Sequence, residues 1–261
     1  MADRSGTLAD AWAALVDLVL PAACAGCDAT VGRESAADRG GPDGVRGGLC
    51  RDCAAALAAA QPQRVRPEPA PPGMPPTVAL AAYAGSLRGA LLAYKERGRH
   101  TLAGPLGDRL ADVTIAALGP VPVPVLLVPV PATAAAARER SGDHMVRLAR
   151  RTARELTRRG WPAGVAVPLR ARPKPDSATL AGADRLRVAP SAFTVIPGRL
   201  PTVHRRVNGG ARLVVVDDIV TTGATLAAVA GSLRVAGVEP LVAAVLAATR
   251  RRVTPRCRVA R

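Results

Sequence analysis

Two adjacent aspartates stand between an apolar run and a short polar segment. Asp217 and Asp218 follow residues 213–216, which read Leu-Val-Val-Val. The four apolar residues predict a buried central strand over 212–216, and the two acids leave the sheet at its carboxyl end. Ligands of parallel α/β sheets bind at this end of the strands. Asp217 and Asp218 are therefore the first candidate binding and catalytic residues.

The segment after the aspartates consists of small and hydroxylated residues. Its members are Thr221, Thr222, Gly223, Ala224 and Thr225. Backbone N–H groups of such a loop, together with the positive end of the following helix, suit a phosphate dianion. Gly223 allows close backbone approach, and the threonine hydroxyls add donors. Because carboxylates repel phosphate, we expect the two acids to accept hydroxyls from a sugar diol, and the whole pattern predicts a 5-phosphorylated ribose.

Short apolar runs alternate with helical patterns across the larger part of the chain. This alternation predicts an α/β domain with a parallel sheet covered by helices on both faces. The predicted strands span residues 78–83, 125–131, 164–169, 212–216 and 241–248. The predicted helices span residues 87–97, 102–118, 143–159 and 225–236, with a long polar loop over 171–190.

Composition divides the chain into four parts. Residues 1–60 hold a short amphipathic helix, predicted at 8–20, and a cysteine-bearing module. Residues 61–76 contain seven prolines, which disfavour both helix and strand pairing, so this segment is predicted to be a linker. Residues 77–249 form the α/β domain, and residues 250–261 are a basic tail with six arginines.

Four cysteines in two pairs predict a structural metal site. Cys24 and Cys27 are separated by two residues, as are Cys50 and Cys53, and residues 28–49 lie between the pairs. Four thiolates at this spacing can surround a zinc ion with no open position. A disulfide framework and a redox-active pair are the alternatives, and both are disfavoured by the lack of a secretory signal and by the Gly-rich surroundings. We expect the module to melt separately from the α/β domain.

The charge balance indicates polyanionic partners. The formal net charge is +16, and only two of the 36 basic residues are lysines, Lys95 and Lys174. The basic helix at 143–159 and the tail would suit a nucleic-acid backbone, but aromatic residues are only 2% of the chain. We expect weak, salt-sensitive binding of single-stranded DNA. No apolar run reaches the ~18 residues that span a bilayer, so a cytoplasmic protein without a membrane span is predicted.

Further motifs along the chain make it similar to one family. They are Tyr83-Ala84-Gly85 with Leu87-Arg88, Lys95, Val128-Pro129-Val130-Pro131, Arg138-Glu139-Arg140, Arg185 and Ala192-Phe193, in addition to residues 213–225 and the four cysteines. With these motifs the chain resembles the ComF family of type I phosphoribosyltransferases over most of its length. The resemblance implies a Rossmann-like parallel-sheet domain preceded by a small zinc-binding module.

The resemblance also implies a ligand, 5-phosphoribosyl 1-pyrophosphate, bound together with magnesium. It places the loop after the strand at 125–130 against the diphosphate. The residues of this pyrophosphate loop are Pro129, Val130, Pro131, Ala132 and Thr133. The candidate loop cations for the leaving group are Arg140, Arg172, Lys174 and Arg185, and solvated loop charges are the alternative for Arg172 and Lys174.

Two departures from related proteins bear on the acceptor. Thr221 stands where relatives that use 6-oxopurines carry an acid acting as base, which disfavours hypoxanthine and guanine. Residues 141–144 read Ser-Gly-Asp-His where ComF members usually have Gly-Phe-Asn-Gln, at a place where an acceptor is expected. As a lone histidine, His144 is not expected to act as a ligand or base. Two hypotheses follow: transfer of phosphoribosyl to an unknown acceptor, or a non-catalytic protein that senses the ligand or assists DNA uptake.

Overall fold

A computed structural model describes residues 23–29, 48–133, 142–172 and 192–249. The helix expected at 8–20 and the basic tail at 250–261 lie outside the described residues. So do three of the four candidate loop cations, namely Arg140, Lys174 and Arg185.

The described strands form a mixed, mostly parallel six-stranded sheet and a separate hairpin. They are β1 (Gln63–Val65), β2 (Thr77–Ala82), β3 (Val125–Pro129), β4 (Ala163–Val165), β5 (Leu169–Ala171), β6 (Phe193–Val195), β7 (Arg212–Val220) and β8 (Val242–Ala248). The large sheet has the order β1-β2-β8-β7-β3-β4, and β1 pairs antiparallel with β2 while the other neighbours are parallel. Strands β5 and β6 form the antiparallel hairpin. The expected α/β class with a parallel sheet is thereby confirmed in its main part.

Helices cover both faces of this sheet. They are α1 (Arg51–Ala59), α2 (Gly85–Glu96), α3 (Ala103–Leu118), α4 (His144–Arg158), α5 (Leu200–Asn208) and α6 (Ala224–Val235). One core lies between the sheet and α2, α3 and α4, and a second core lies between the opposite face and α5, α6 and the hairpin. The aliphatic residues that the composition requires fill both cores, with Leu106 and Leu127 in the first and Val203 and Val229 in the second.

The residues of the central strand β7 alternate between the two cores. Val214 and Val216 belong to the core under α2, α3 and α4, while Leu213 and Val215 belong to the core under α5 and α6. This alternation follows from the two-residue period of a strand, and it explains why every residue of the run is apolar. The strand continues to Val220, so the expectation that it ends before the aspartates is wrong.

Three other expectations about elements need correction. Residues 63–65 of the proline-rich linker form the edge strand β1, because the prolines fall on either side of this tripeptide. The single strand expected at 164–169 is interrupted at residues 166–168, so that β4 joins the large sheet and β5 starts the hairpin. Helix α5 was not predicted from the sequence; its Pro201 lies in the first turn, where proline is tolerated.

The cysteine module is packed on the α/β domain and shares its core. Cys24, Cys53 and Leu57 are buried in the same cluster as Leu91 of α2. Gly89 of α2 lies so close to the backbone of residues 25–26 that a Cβ there would overlap the carbonyl oxygen of Gly26. This shared core argues against separate melting of the module.

Candidate functional site

The carboxyl ends of β3 and β7 bring two predicted loops to one edge of the sheet. The strands pair in parallel, with Pro129 opposite Val216, and the N–H of Val130 donates to the carbonyl of Val216 over 2.9 Å. The expected pyrophosphate loop at 129–133 therefore starts beside Val216, the residue that precedes the aspartates. Sequence reasoning predicted both this loop and the segment 221–225, and both lie at the carboxyl ends of these paired strands.

Asp217 and Asp218 are both buried, with 8% and 4% of their surface exposed. Successive side chains of a strand point to opposite faces, so Asp218 extends the face of Val216 and Asp217 extends the face of Val215. Oδ1 of Asp217 accepts a hydrogen bond from the backbone N–H of Asp218 over 2.9 Å. The two carboxylates therefore leave β7 on opposite faces of the sheet, ahead of the end of the strand at Val220.

Asp218 has two basic partners from helices that are distant in sequence. Nζ of Lys95, in the last turn of α2, lies 2.9 Å from Oδ2, and Nε2 of His144, the first residue of α4, lies 3.5 Å from the same oxygen. The oxygen is buried, and neither contact has the alignment of a hydrogen bond, so we describe the Lys95 contact as an ion pair. Sequence reasoning missed both residues as members of the site.

The two carboxyl groups differ in their pKa. Burial and the neighbouring charge of Asp218 raise the pKa of Asp217 well above its ordinary value. Burial also acts to raise the pKa of Asp218, but His144 and the ammonium of Lys95 outweigh it and lower that pKa to about 2. Asp218 therefore carries the negative charge of the pair, and Asp217 is the more readily protonated member.

His144 is held in place by its backbone and by its burial. The hydroxyl of Tyr94 donates to the carbonyl of His144 over 2.7 Å, and the two rings meet edge to face with centroids 6.2 Å apart. Burial raises the pKa of Tyr94 to about 12, which keeps this donor protonated. Nδ1 of His144 is buried and has no hydrogen-bond partner within the described part of the chain. No ligand or base role was expected for His144 from the sequence, and the structure places its ring against Asp218.

The segment 221–225 forms the turn that begins α6. Gly223 has φ of 76° and precedes the first residue of α6, a left-handed conformation that a side chain would strain. Thr221, Thr222, Ala224 and Thr225 are exposed around it. The hydroxyl of Thr222 accepts the N–H of Ala224 over 3.4 Å, so this hydroxyl supports the turn. A Cβ on Gly223 would also overlap the sulfur of Met74, so part of the predicted linker packs on this turn.

The loop at 129–133 is fixed by the start of α4. Asp143 is the N-cap of α4, and its Oδ1 accepts the N–H groups of Met145 and Val146 at 2.9 and 3.1 Å. Its Oδ2 accepts the N–H of Ala132 over 3.4 Å. Pro129, Val130 and Pro131 are buried, while Ala132 and Thr133 are half-buried.

Arg172, the one described member of the candidate loop cations, is engaged elsewhere. Its Nε donates to the hydroxyl of Thr194 over 2.7 Å, which ties it to the β5–β6 hairpin. Its side chain is exposed. No described ion pair joins it to the aspartates.

The four cysteines form a compact cluster. Their sulfur atoms all lie within 4.8 Å of one another, a spacing at which one metal ion can contact all four. Cys27 and Cys50 are 3.8 Å apart at sulfur, well beyond disulfide length, and all four cysteines are free. The structure thus brings together the four residues that the sequence paired, as a potential metal site.

Backbone donors prepare one sulfur of the cluster for ionisation. Sγ of Cys24 accepts the N–H groups of Gly26 and Cys50 at 3.3 and 3.2 Å. Burial acts to raise the pKa of Cys24, but these donors outweigh it and lower that pKa to about 6. Burial, together with the neighbouring sulfurs, raises the pKa of Cys53. The backbone donors stabilise the thiolate of Cys24, and the thiolate is the form of cysteine that binds a metal.

The basic helix α4 is partly neutralised by acids of its own and of α3. The ion pairs join Arg151 to Asp108, Arg158 to Glu155, and Arg159 to both Asp112 and Glu155. The hydrogen bond from Arg158, which together with Arg159 outweighs burial, lowers the pKa of Glu155 to about 2. These pairs stabilise the packing of α4 on α3 and reduce the charge that the helix can offer a nucleic acid.

The fold and the site define an α/β protein with a mostly parallel sheet and a four-cysteine cluster. A scan against models of known protein families finds no match to the chain, and a search of curated proteins finds none either. Among the described residues, no helix combines the length and the apolar character needed to cross a bilayer.

Proposed function

We propose that the chain is a ComF-type phosphoribosyltransferase that binds 5-phosphoribosyl 1-pyrophosphate with magnesium. The observation that carries this proposal is the position of Asp217 and Asp218. They lie near the carboxyl end of the central strand β7, directly ahead of the turn that begins α6. Only the five residues 219–223 separate the acids, which can hold a diol, from the start of α6, which can hold a phosphate.

The neighbouring loop supports the same proposal. Residues 129–133 lie at the same sheet edge and are anchored by Asp143, so a diphosphate attached to the sugar would meet backbone rather than a large side chain. The turn at 221–225 would hold the 5-phosphate through backbone N–H groups and threonine hydroxyls. The ribose would lie between these two loops with its hydroxyls on Asp217 and Asp218.

The reaction proposed is substitution at the anomeric carbon of the sugar. The bond from this carbon to the diphosphate oxygen breaks, its electron pair leaves on pyrophosphate, and the bond to the acceptor forms as the acceptor loses a proton. Asp217 and Asp218 would hold the ring and stabilise the positive charge that develops on it. Magnesium, when bound with the ligand, supplies compensation for the charge of the diphosphate and needs few protein ligands.

We also propose that Cys24, Cys27, Cys50 and Cys53 hold a zinc ion. The donor set of four thiol sulfurs suits zinc in a closed, structural site. The backbone N–H groups on Cys24 support thiolate formation there. Such an ion would stabilise residues 23–29 and 48–53, which the structure packs against α2.

A turnover screen tests the proposed activity. The protein, magnesium and 5-phosphoribosyl 1-pyrophosphate are incubated with pools of nucleobases, amines or ammonia, and pyrophosphate release is measured. We expect release with one pool, loss of release in Asp218→Asn, and normal release in the control Asp112→Asn, which removes a carboxylate from α3. Tight ligand binding without release from any pool would instead favour a ligand sensor. Absence of both binding and release would overturn the proposed function.

A further inference from the structure

A cation near the diphosphate would stabilise the negative charge of the leaving pyrophosphate. Among the expected loop cations only Arg172 is described, and it is engaged elsewhere. Arg172 is tied to Thr194 and makes no described ion pair with the aspartates. The basic side chains in contact with the acidic pair are Lys95 and His144. Among the described residues, Lys95 and His144 are therefore the candidates for the cation that contacts the diphosphate.

Lys95 and His144 differ in their access to solvent. The side chain of His144 is 6% exposed, and its Nε2 lies 3.5 Å from Asp218. The side chain of Lys95 is 29% exposed although its Nζ is 2.9 Å from the same carboxylate. Lys95 therefore keeps contact with solvent while it pairs with Asp218, whereas His144 is enclosed by the core.

An ammonium in this position can serve two partners at once. It has three hydrogen-bond donors, and one ion pair leaves donors for another oxygen. In ribose 1-pyrophosphate the carbon that carries the 2-hydroxyl is bonded to the carbon that carries the diphosphate. A carboxylate that holds the diol therefore brings the diphosphate close to any cation that shares this carboxylate.

We infer that Lys95 is a ligand-binding residue that contacts the diphosphate of 5-phosphoribosyl 1-pyrophosphate. This inference rests on the proposed function and adds a residue to its site. Lys95 stays paired with Asp218 when the ligand is absent, which keeps the buried carboxylate from being an uncompensated charge. When the ligand binds, the hydroxyl takes over part of that role, and the ammonium turns its remaining donors to the diphosphate. The leaving group then departs toward a positive charge.

Calorimetry with three probes tests this inference in the full chain. The probes, each with magnesium, are 5-phosphoribosyl 1-pyrophosphate, inorganic pyrophosphate and ribose 5-phosphate, which has the diol and the 5-phosphate but no diphosphate. We expect Lys95→Met to weaken the binding of 5-phosphoribosyl 1-pyrophosphate and of pyrophosphate by about tenfold to hundredfold, because a charge-assisted contact is lost. The affinity for ribose 5-phosphate should change by about twofold or less. The control Arg64→Met removes an exposed charge from β1 and should change none of the three.

Each outcome decides between this inference and the proposed function. If Lys95→Met weakens the binding of all three probes equally, Lys95 acts only through Asp218 and the inference is overturned. If it weakens the binding of none, the inference fails, while the proposed function is still supported by ligand binding to the wild-type chain. If the wild-type chain binds none of the probes, the proposed function fails and the inference fails with it.

A second measurement needs no variant, in case Lys95→Met does not fold. Lys95 and Lys174 are the only lysines of the chain, so acetylation by a lysine-reactive ester can be followed at Lys95 by mass spectrometry. Magnesium pyrophosphate should slow acetylation of Lys95 relative to the amino terminus, and ribose 5-phosphate should do so less. Equal rates with and without pyrophosphate would contradict the inference.

Discussion

The contact between Gly89 and the cysteine module predicts what one added methyl group does to the whole chain. A Cβ on Gly89 would overlap the carbonyl oxygen of Gly26, and would stand 2.7 Å from the carbonyl carbon of Gly26 and 2.9 Å from the oxygen of Ala25. All of these are backbone atoms, so no side chain can rotate away and the module has to move off α2. Overpacking costs about 1–3 kcal/mol, and its upper end applies here because backbone must shift. Replacing glycine by alanine inside a helix by itself raises the free energy of unfolding by about 1 kcal/mol. Set against an overpacking cost of about 3 kcal/mol, this leaves Gly89→Ala less stable than wild type by about 2 kcal/mol.

Urea unfolding at neutral pH measures this change, and Gly231→Ala is the matched control. Gly231 also lies inside a helix, α6, but a Cβ there meets no atom within 4 Å. The control should therefore gain about 0.5–1 kcal/mol while Gly89→Ala loses stability. Gly89→Ala should also release the proposed zinc ion at a lower chelator concentration, because the residues around Cys24 and Cys27 are displaced. Two variants that are equally stabilised and hold metal equally would refute the packing of the module on α2.

Three further predictions concern charge and capping. The pKa of Glu155 in the folded chain, about 2, is below its ordinary value, so its contribution to stability is present above about pH 4.5 and is lost as the pH falls toward 2. Glu155→Gln should therefore lower the free energy of unfolding by about 1–2 kcal/mol at pH 7 in urea melts and should match wild type near pH 2. This figure is reduced for solvent screening, because the partner Arg158 is exposed. Asp143→Ala should lower stability by about 1 kcal/mol in thermal melts, and Asp143→Asn should lower it less, because Asn also caps the helix although its amide nitrogen cannot accept the N–H of Ala132. Single-stranded DNA should bind weakly, with affinity falling steeply as salt rises and a flatter slope after deletion of 250–261; a complex that stays tight at physiological salt would contradict this.

The main layers of the fold could be predicted because their signals are local. The apolar runs that became β2, β3, β7 and β8 and the helical patterns of α2, α3 and α4 each lie within a short window of sequence. The turn at 221–225 could be predicted for the same reason, since Gly223 and its small neighbours identify a helix start with a left-handed residue. The cysteine cluster followed from spacing alone.

The partners of Asp218 could not be predicted, because they come from other parts of the chain. Lys95 reaches it from the last turn of α2, and His144 from the first turn of α4. Only the tertiary packing of these helices on the sheet decides which side chains meet. One signal was available: Lys95 is one of two lysines in a chain that otherwise uses arginine. The burial of the acids was missed because the strand pattern was ended at Val216, although Ile219 and Val220 continue it.

The docking of the cysteine module also lay beyond local pattern. Gly89 has to be small because the backbone of Gly26 lies against it, and Gly26 has to be small because the side chains of Cys53 and Ser86 do. Nothing in either segment alone indicates these contacts. The ion pair from Arg97 to Asp28 and the hydrogen bond from Arg99 to the carbonyl of Ala23 add to the same interface. Since α2 also carries Lys95, the module and the acidic pair share one helix.

Calorimetric titration with 5-phosphoribosyl 1-pyrophosphate tests the central claim most directly. The wild-type chain should bind the ligand in the presence of magnesium and lose binding when magnesium is removed. The folded double variant Asp217→Asn with Asp218→Asn should bind at least about a hundredfold more weakly, because the charge-assisted hydrogen bond from the diol to Asp218 is lost and the hydrogen bond to Asp217 is weakened with it. The control Asp108→Asn with Asp112→Asn removes two carboxylates from α3 and should bind like wild type. Undiminished affinity in the folded double variant would contradict the assignment of this site.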